Sequence, residues 1–133
     1  FLNFIYWRIV RYFNLYYGEN YWQSLKKCFE NEDSWDIHQK QFELMISELE
    51  KNNASLSVVI FPHFLDIEGS SILTRKVYNF FSNRGIPVID LVDNFSDRSS
   101  ADLVVNDLDA HPNKAVHAEV AEIIYDSFFK NGL

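Results

Sequence analysis

Two short apolar runs with a helical segment between them constrain the fold of this chain most. Ser57–Phe61 and Ile86–Leu91 are rich in β-branched residues, which is typical of strands buried on both faces of a parallel sheet. Pro62 ends the first run, and residues 71–83 repeat apolar side chains at helical spacing. Because a strand, a helix and a second strand form a βαβ unit with a right-handed crossover, the sequence predicts an α/β fold.

Four further segments are predicted to be helices, because their apolar side chains recur three or four residues apart. Three of them precede the first strand and cover residues 1–17, 19–30 and 35–52. The fourth covers residues 114–130, and Asn113 is its predicted N-cap.

Side chains that can accept hydrogen bonds from the first turn also mark the predicted starts of the helices on either side of the first strand. The helix before the first strand is predicted to begin at Asp33 or Ser34, and the helix between the strands at Ser70 or Ser71. The buried stripe of this second helix is predicted to contain Ile72, Leu73, Val77, Phe80 and Phe81.

Two parallel strands cannot form a sheet that is complete by itself, since each leaves an unpaired edge. The predicted helices also carry more apolar surface than two strands can cover. The sequence therefore predicts that residues 1–133 are a single partial domain, the back half of a doubly wound α/β domain whose upstream part is missing. Within it, residues 1–54 are a helical segment and residues 55–133 run strand, helix, strand, loop, helix.

Composition and charge exclude several classes of function. The net charge of -7 argues against nucleic acid as a partner, because phosphate backbones are bound by basic patches. The only cysteine, Cys28, cannot form an internal disulfide and is predicted to be a half-buried thiol. The aromatic residues 1–17 are too few to span a bilayer, which takes about 20 apolar residues. We expect this helix to pack in the domain, and contact with a membrane surface or a partner is the alternative.

The run from Asp107 to His117 combines acids, an imidazole and a helix start. Two carboxylates, Asp107 and Asp109, precede His111 by four and two residues. Pro112 disfavours the α conformation at His111, which places the imidazole at the mouth of the last helix. Since a histidine held by a carboxylate can take a proton from a hydroxyl near neutral pH, we expect His111 to be a general base oriented by Asp109, with Asp107 in reserve.

Two other interpretations of the same run are available. It can be a capped turn that has no catalytic role. It can also supply metal ligands, for which the candidates would be Asp107, Asp109, His111, His117 and His63. No HExxH or CxxC pattern is present, and the two histidines of the run, His111 and His117, are six positions apart, so we expect no metal. His117 is predicted to be a helix-surface or packing residue.

Asp109–Ala118, with the sequence DAHPNKAVHA, resembles the last conserved block of the SGNH (GDSL-type) hydrolase family. Ser57–Pro62 and Gly85–Leu91 resemble strands that precede that block, and the likeness covers roughly residues 35–130. The resemblance implies a flavodoxin-like, three-layer fold and hydrolysis of an ester or acyl group by a serine nucleophile, without metal or organic cofactor. His111 matches the family's general base, and Asp109 matches the residue that orients it.

The chain departs from the family pattern in what it lacks. The family's Gly-Asp-Ser nucleophile block and the glycine and asparagine of its oxyanion hole are not found in the 133 residues. The only Gly-Ser step precedes a predicted helix, so Ser70 and Ser71 are interpreted as caps. The family acid often lies three positions before the histidine, which is Leu108 here, and Asp107 therefore stays a second candidate.

These observations predict the C-terminal portion of an SGNH-type serine esterase or acyl hydrolase that is inactive without its upstream residues. Its substrate would be a small-molecule, glycan or lipid ester, and His63, which follows the first strand, is a candidate substrate contact. The alternative is a non-catalytic α/β binding or docking module whose aromatic first helix contacts a partner or a membrane.

Overall fold

A computed structural model of the chain describes residues 24–106 and 109–130, together with Ile5, Tyr6 and Ile9. The chain divides into two compact units, Phe1–His38 and Gln39–Leu133.

In the first unit, residues 24–30 are helical. Helix α1 (Glu32–Lys51) begins in this unit and continues into the second. The side-chain oxygen of Asn31 accepts a hydrogen bond from the Ser34 N–H at 2.9 Å, so Asn31 caps α1. The prediction that Asp33 or Ser34 starts this helix is therefore wrong by two or three residues. Phe29 stacks on His38 with ring centroids 5.1 Å apart, and Cys28 is exposed rather than half-buried.

The predicted helix over residues 1–17 lies largely outside the described residues, as do residues 19–23 of the next one. Ile5, Tyr6 and Ile9 are helical, and each is more than 40% exposed. Among the residues with a described position, no helix is both long enough and apolar enough to cross a membrane.

The second unit contains the rest of α1 and a mixed set of short strands and helices. In chain order these are β1 (Val58–Ile60), α2 (Ile67–Ser82), β2 (Val88–Asp90), α3 (Val92–Phe95), α4 (Ser100–Leu103), β3 (Val104–Asn106), β4 (Asp109–Pro112) and α5 (Lys114–Phe128). The predicted α/β class is confirmed.

Strands β1 and β2 pair in parallel, and α2 lies between them in the chain, so the predicted βαβ unit is present. The register places Val59 opposite Ile89 and Ile60 opposite Asp90. All six strand residues are half-buried, and the expectation of strands buried on both faces is therefore wrong. Within the described part of the chain this sheet has two strands, too few to enclose either of them.

Helix α2 begins earlier than predicted because Asp66 caps it. The Asp66 carboxylate accepts the N–H of Gly69 at 3.0 Å. Ser70 and Ser71 lie inside the helix, where their hydroxyls donate to the backbone oxygens three residues earlier at 2.8 and 2.7 Å. Ile72 is exposed rather than part of the core, whereas Leu73, Phe80 and Phe81 of the predicted stripe are buried.

Strands β3 and β4 form an antiparallel pair that was not predicted. Residues 109–112, expected to be a loop, are a strand paired with β3, and Val104 lies opposite Pro112. Val104 is buried, so packing beneath β3 favours the extended conformation at this point of the chain. Helix α5 starts at Lys114 with Asn113 as its cap, as predicted.

One hydrophobic cluster joins the elements of the second unit. Its buried members are Phe64, Ile67, Leu91, Val92, Phe95, Leu103, Val104, Val116 and Val120, and Val59, Ile89, Ile123 and Ile124 pack against it from partly buried positions. The cluster takes residues from α2, α3, α4, β3 and α5, and it therefore holds the loop after β1 close to the start of α5.

We expect Phe95→Ala to lower the free energy of unfolding by about 3–5 kcal/mol, because Phe95 is 0% exposed and its loss leaves a cavity. Phe129→Ala is the matched control: Phe129 is 62% exposed, and its loss should change the value by no more than about 0.5 kcal/mol. Urea denaturation followed by circular dichroism measures both. Equal losses for the two variants would contradict the assigned core.

Candidate functional site

The site is built around Asp109 and His111, which both lie in β4. Side chains two residues apart in a strand project from the same face, so the strand itself brings this acid and this imidazole together. His111 Nδ1 lies 2.5 Å from Asp109 Oδ1. The same carboxylate oxygen accepts the backbone N–H of His111 at 3.2 Å. The pair is therefore local in the chain and is held by two contacts to one oxygen.

Asn113 fixes the position of the strand that carries this pair. Its Oδ1 accepts the N–H groups of Ala115 and Val116 at 2.9 and 3.1 Å, which caps α5. Its Nδ2 donates to Asp102 O at 2.8 Å, and its backbone N–H donates to Leu103 O at 2.8 Å. One residue thus connects the end of β4 to both α5 and α4.

The contact with Asp109 selects one tautomer of the His111 ring. An ionised carboxylate only accepts hydrogen bonds, so Nδ1 carries the proton and Nε2 of the neutral ring is the acceptor. The side chain of His111 is 86% exposed and that of Asp109 is 37% exposed. At this exposure the contact between the two side chains adds little to the stability of the fold. Its main effect is to orient the His111 ring.

His111 borders a cleft of about 480 Å³ at the end of β1. The residues that line it come from the segment after β1, from β4 and from α5: Phe61, Pro62, His63, Phe64, Ala110, His111, Pro112 and His117. In open α/β sheets, ligands bind outside the carboxyl ends of the strands. The cleft is at that end of β1.

His63, the predicted substrate contact, lies in the same cleft as His111. Its backbone N–H donates to Ser70 Oγ at 3.2 Å, and its carbonyl oxygen accepts the N–H of Asp66 at 2.8 Å. These bonds tie the segment after β1 to the start of α2. His117 is exposed on α5, as expected for a helix-surface residue, and it also contributes to the lining of the cleft.

Phe61 and Phe64 are lining residues that reasoning from sequence missed. Both were assigned to the end of a strand or to a loop, and neither carries a titratable group. The signal that could have found them is their position, since residues directly after a parallel strand face the crevice of an α/β sheet.

The sequence also offered a serine, a second acid and a set of metal ligands as candidates. Ser70 is buried in α2 and its hydroxyl donates within the helix, which agrees with a structural role and not with a nucleophile. Asp107, the reserve for the orienting acid, lies outside the described residues, as does Leu108. Residues 24–106 and 109–130 contain no group of three or more His, Cys, Asp or Glu side chains arranged to hold a metal ion.

Comparison with known proteins finds no family model, no curated protein and no solved structure that matches the chain. The chemical interpretation of the site therefore depends on its own geometry and on the motif that surrounds His111.

We expect the neutral His111 ring to carry its proton on Nδ1, because that nitrogen faces Asp109. Asp109→Asn should shift the ring to the Nε2-protonated tautomer, since an amide can donate to Nδ1. Long-range ¹⁵N–¹H correlation spectra of the imidazoles distinguish the two forms, and the four histidines are assigned by single substitutions. An Nε2-protonated ring in the unsubstituted protein, or no change in Asp109→Asn, would contradict the assigned contact.

Proposed function

We propose that this chain is the C-terminal portion of an SGNH-type serine esterase or acyl hydrolase, in which His111 is the general base and Asp109 orients it. The observation that carries the proposal is the 2.5 Å contact between Asp109 Oδ1 and His111 Nδ1 beside a cleft at the carboxyl end of β1. The serine nucleophile is supplied by residues outside these 133, which contain no Gly-Asp-Ser step.

In the proposed reaction, Nε2 of His111 takes the proton of the serine hydroxyl while the serine oxygen attacks the ester carbonyl carbon. The imidazolium then donates that proton to the departing alcohol, which leaves an acyl-enzyme. His111 next takes a proton from water, and the resulting hydroxide attacks the acyl group. The proton returns to the serine oxygen as the carboxylic acid is released. Asp109 stabilises the imidazolium in both halves of the cycle.

The position of the pair suits this role for two reasons. The exposed ring of His111 leaves Nε2 accessible to a group from another part of the protein. The contact at Nδ1 keeps Nε2 unprotonated in the neutral ring, which is the state that a general base requires. Donors that stabilise the tetrahedral oxyanion belong, in this proposal, to the same upstream residues as the serine.

The proposal extends to the fold of the complete domain. A parallel pair with a helical crossover, followed by a hairpin and a final helix, agrees with the last part of a flavodoxin-like, three-layer domain. Further strands from the upstream residues would then pair with the edges of the β1–β2 sheet. The substrate is a small-molecule, glycan or lipid ester, and the reaction needs no metal or organic cofactor.

The proposal predicts that the protein that carries this chain with its upstream reading frame hydrolyses 4-nitrophenyl acetate. His111→Ala should lower kcat/KM by about 10³-fold or more, because it removes the general base. Asp109→Asn should lower it by about 10²–10⁴-fold, because the His111 ring then adopts the tautomer that cannot accept a proton at Nε2. Asp126→Asn is the control: this exposed carboxylate on α5 pairs with Lys130, which follows the helix, and kcat/KM should stay within about two-fold. Activity that persists in His111→Ala would disprove the proposal.

We further expect the 133-residue chain alone to be inactive on the same ester, because a base without a nucleophile and oxyanion donors gives little acceleration. Labelling with a fluorophosphonate probe tests for an activated serine directly. Turnover by the isolated chain that disappears in Ser70→Ala would show instead that the nucleophile lies in α2.

The alternative is a non-catalytic docking module that binds a partner or a membrane through its aromatic N-terminal segment. The exposed positions of Ile5, Tyr6 and Ile9 favour this function. Liposome flotation that depends on residues 1–17, in a protein whose upstream reading frame lacks Gly-Asp-Ser, would support the module over the hydrolase.

A further inference from the structure

We infer that the cleft beside His111 binds an uncharged, apolar acyl group of the substrate ester, and that Phe61 makes the cleft prefer longer acyl chains over acetate. This inference rests on the proposed hydrolase function and adds a substrate class to it. It is carried by the chemistry of the cleft lining and by the different burial of its two phenylalanines.

The lining is mostly apolar. Phe61, Pro62, Phe64, Ala110 and Pro112 contribute hydrocarbon, and the other lining groups are imidazoles and backbone. Of the described residues around the cleft, none that lines it is Lys, Arg, Asp or Glu. An anionic acyl group would therefore meet no lysine or arginine in the lining, and the net charge of -7 on the chain would repel it.

The volume of the cleft suits a small ligand group. About 480 Å³ lies within the roughly 300–1,000 Å³ that is usual for small-molecule pockets. Because His111 itself borders this space, an acyl chain in the cleft would have its carbonyl end close to the base. The alcohol part of the ester would then point towards solvent at the exposed ring.

Phe64 forms the fixed floor of the cleft. It is 3% exposed, and its ring meets that of Phe95 edge to face with centroids 5.6 Å apart. Since Phe95 is in the centre of the core, a change at Phe64 would alter stability as well as binding.

Phe61 forms the exposed wall. It is 44% exposed, and its ring meets that of Phe64 edge to face with centroids 6.4 Å apart. An exposed ring held on one side by another ring presents its remaining surface to a ligand. Phe61 is thus the lining residue whose contact with an acyl chain can be changed without removing the core beneath it.

The test compares 4-nitrophenyl acetate, propionate and butyrate as substrates of the full-length protein, with rates corrected for spontaneous hydrolysis. We expect kcat/KM to rise about two- to four-fold with each added methylene, as burial of that group on the Phe61 ring predicts. Phe61→Ala should remove most of this rise, and Phe61→Leu should keep at least half of it. Phe129→Ala, an exposed phenylalanine at the end of α5, should keep all of it.

An ester of the same length with a terminal carboxylate should be cleaved at least ten-fold more slowly than the butyrate ester. Preference for the carboxylated ester would overturn the inference, as would a rise with chain length that persists in Phe61→Ala. Thermal melts followed by circular dichroism accompany each variant, and Phe61→Leu reports on the wall if Phe61→Ala is unstable.

A binding measurement separates this inference from the proposed function. N-butylbutanamide, which is uncharged and resists hydrolysis, should shift the backbone amide signals of Phe64 and Ala110 in the full-length protein, and less so in Phe61→Ala. If the amide binds but no ester is cleaved through His111, the apolar site stands and the hydrolase proposal fails. If esters are cleaved through His111 but the amide shifts neither signal, the hydrolase stands and the acyl site is disproved.

Discussion

The hydrogen bonds of Asn113 are the interaction on which the site depends most. This single side chain caps α5 and also donates to Asp102 O in α4, while its backbone N–H donates to Leu103 O. Val116 and Leu103, next to these bonds, are completely buried in the shared cluster. The end of β4 is thereby anchored on two sides, although its own strand pairing is short. An exposed acid–imidazole pair needs such an anchor to stay in place, because little of its own surface is buried.

The hydrophobic cluster has a second function, which is to bring two distant chain segments to one cleft. Phe64 follows β1, and Val116 lies in the first turn of α5, yet both belong to the same cluster. Packing of these apolar side chains determines the distance between His63 and His111, which no local motif specifies. The arrangement of side chains in the cleft therefore depends on the core beneath it. A cavity in that core would shift the positions of the residues that line the cleft.

Local patterns allowed much of this fold to be predicted from sequence. The β-branched run at Val58–Ile60 and the Asn113 cap are signals carried by neighbouring residues, and both were confirmed. The start of α2 was missed because Asp66 competes with Ser70 and Ser71, three residues that are all good caps. Strand β4 was missed because aspartate and proline disfavour strands, and only pairing with β3 favours one there. Phe61 and Phe64 were missed as lining residues, since their neighbours across the cleft lie far away in the chain.

The placement of Asp109 and His111 in one strand has a consequence for how the site can fail. Their contact belongs to the strand alone, because it needs only the two-residue alternation of an extended chain. A shift of β4 by one residue against β3 would turn both side chains to the opposite face together. The pair would remain intact while leaving the cleft, so the cleft would lose this imidazole although the contact between the two residues is kept. The register between β3 and β4, and not the contact within the pair, thus determines whether the imidazole borders the cleft.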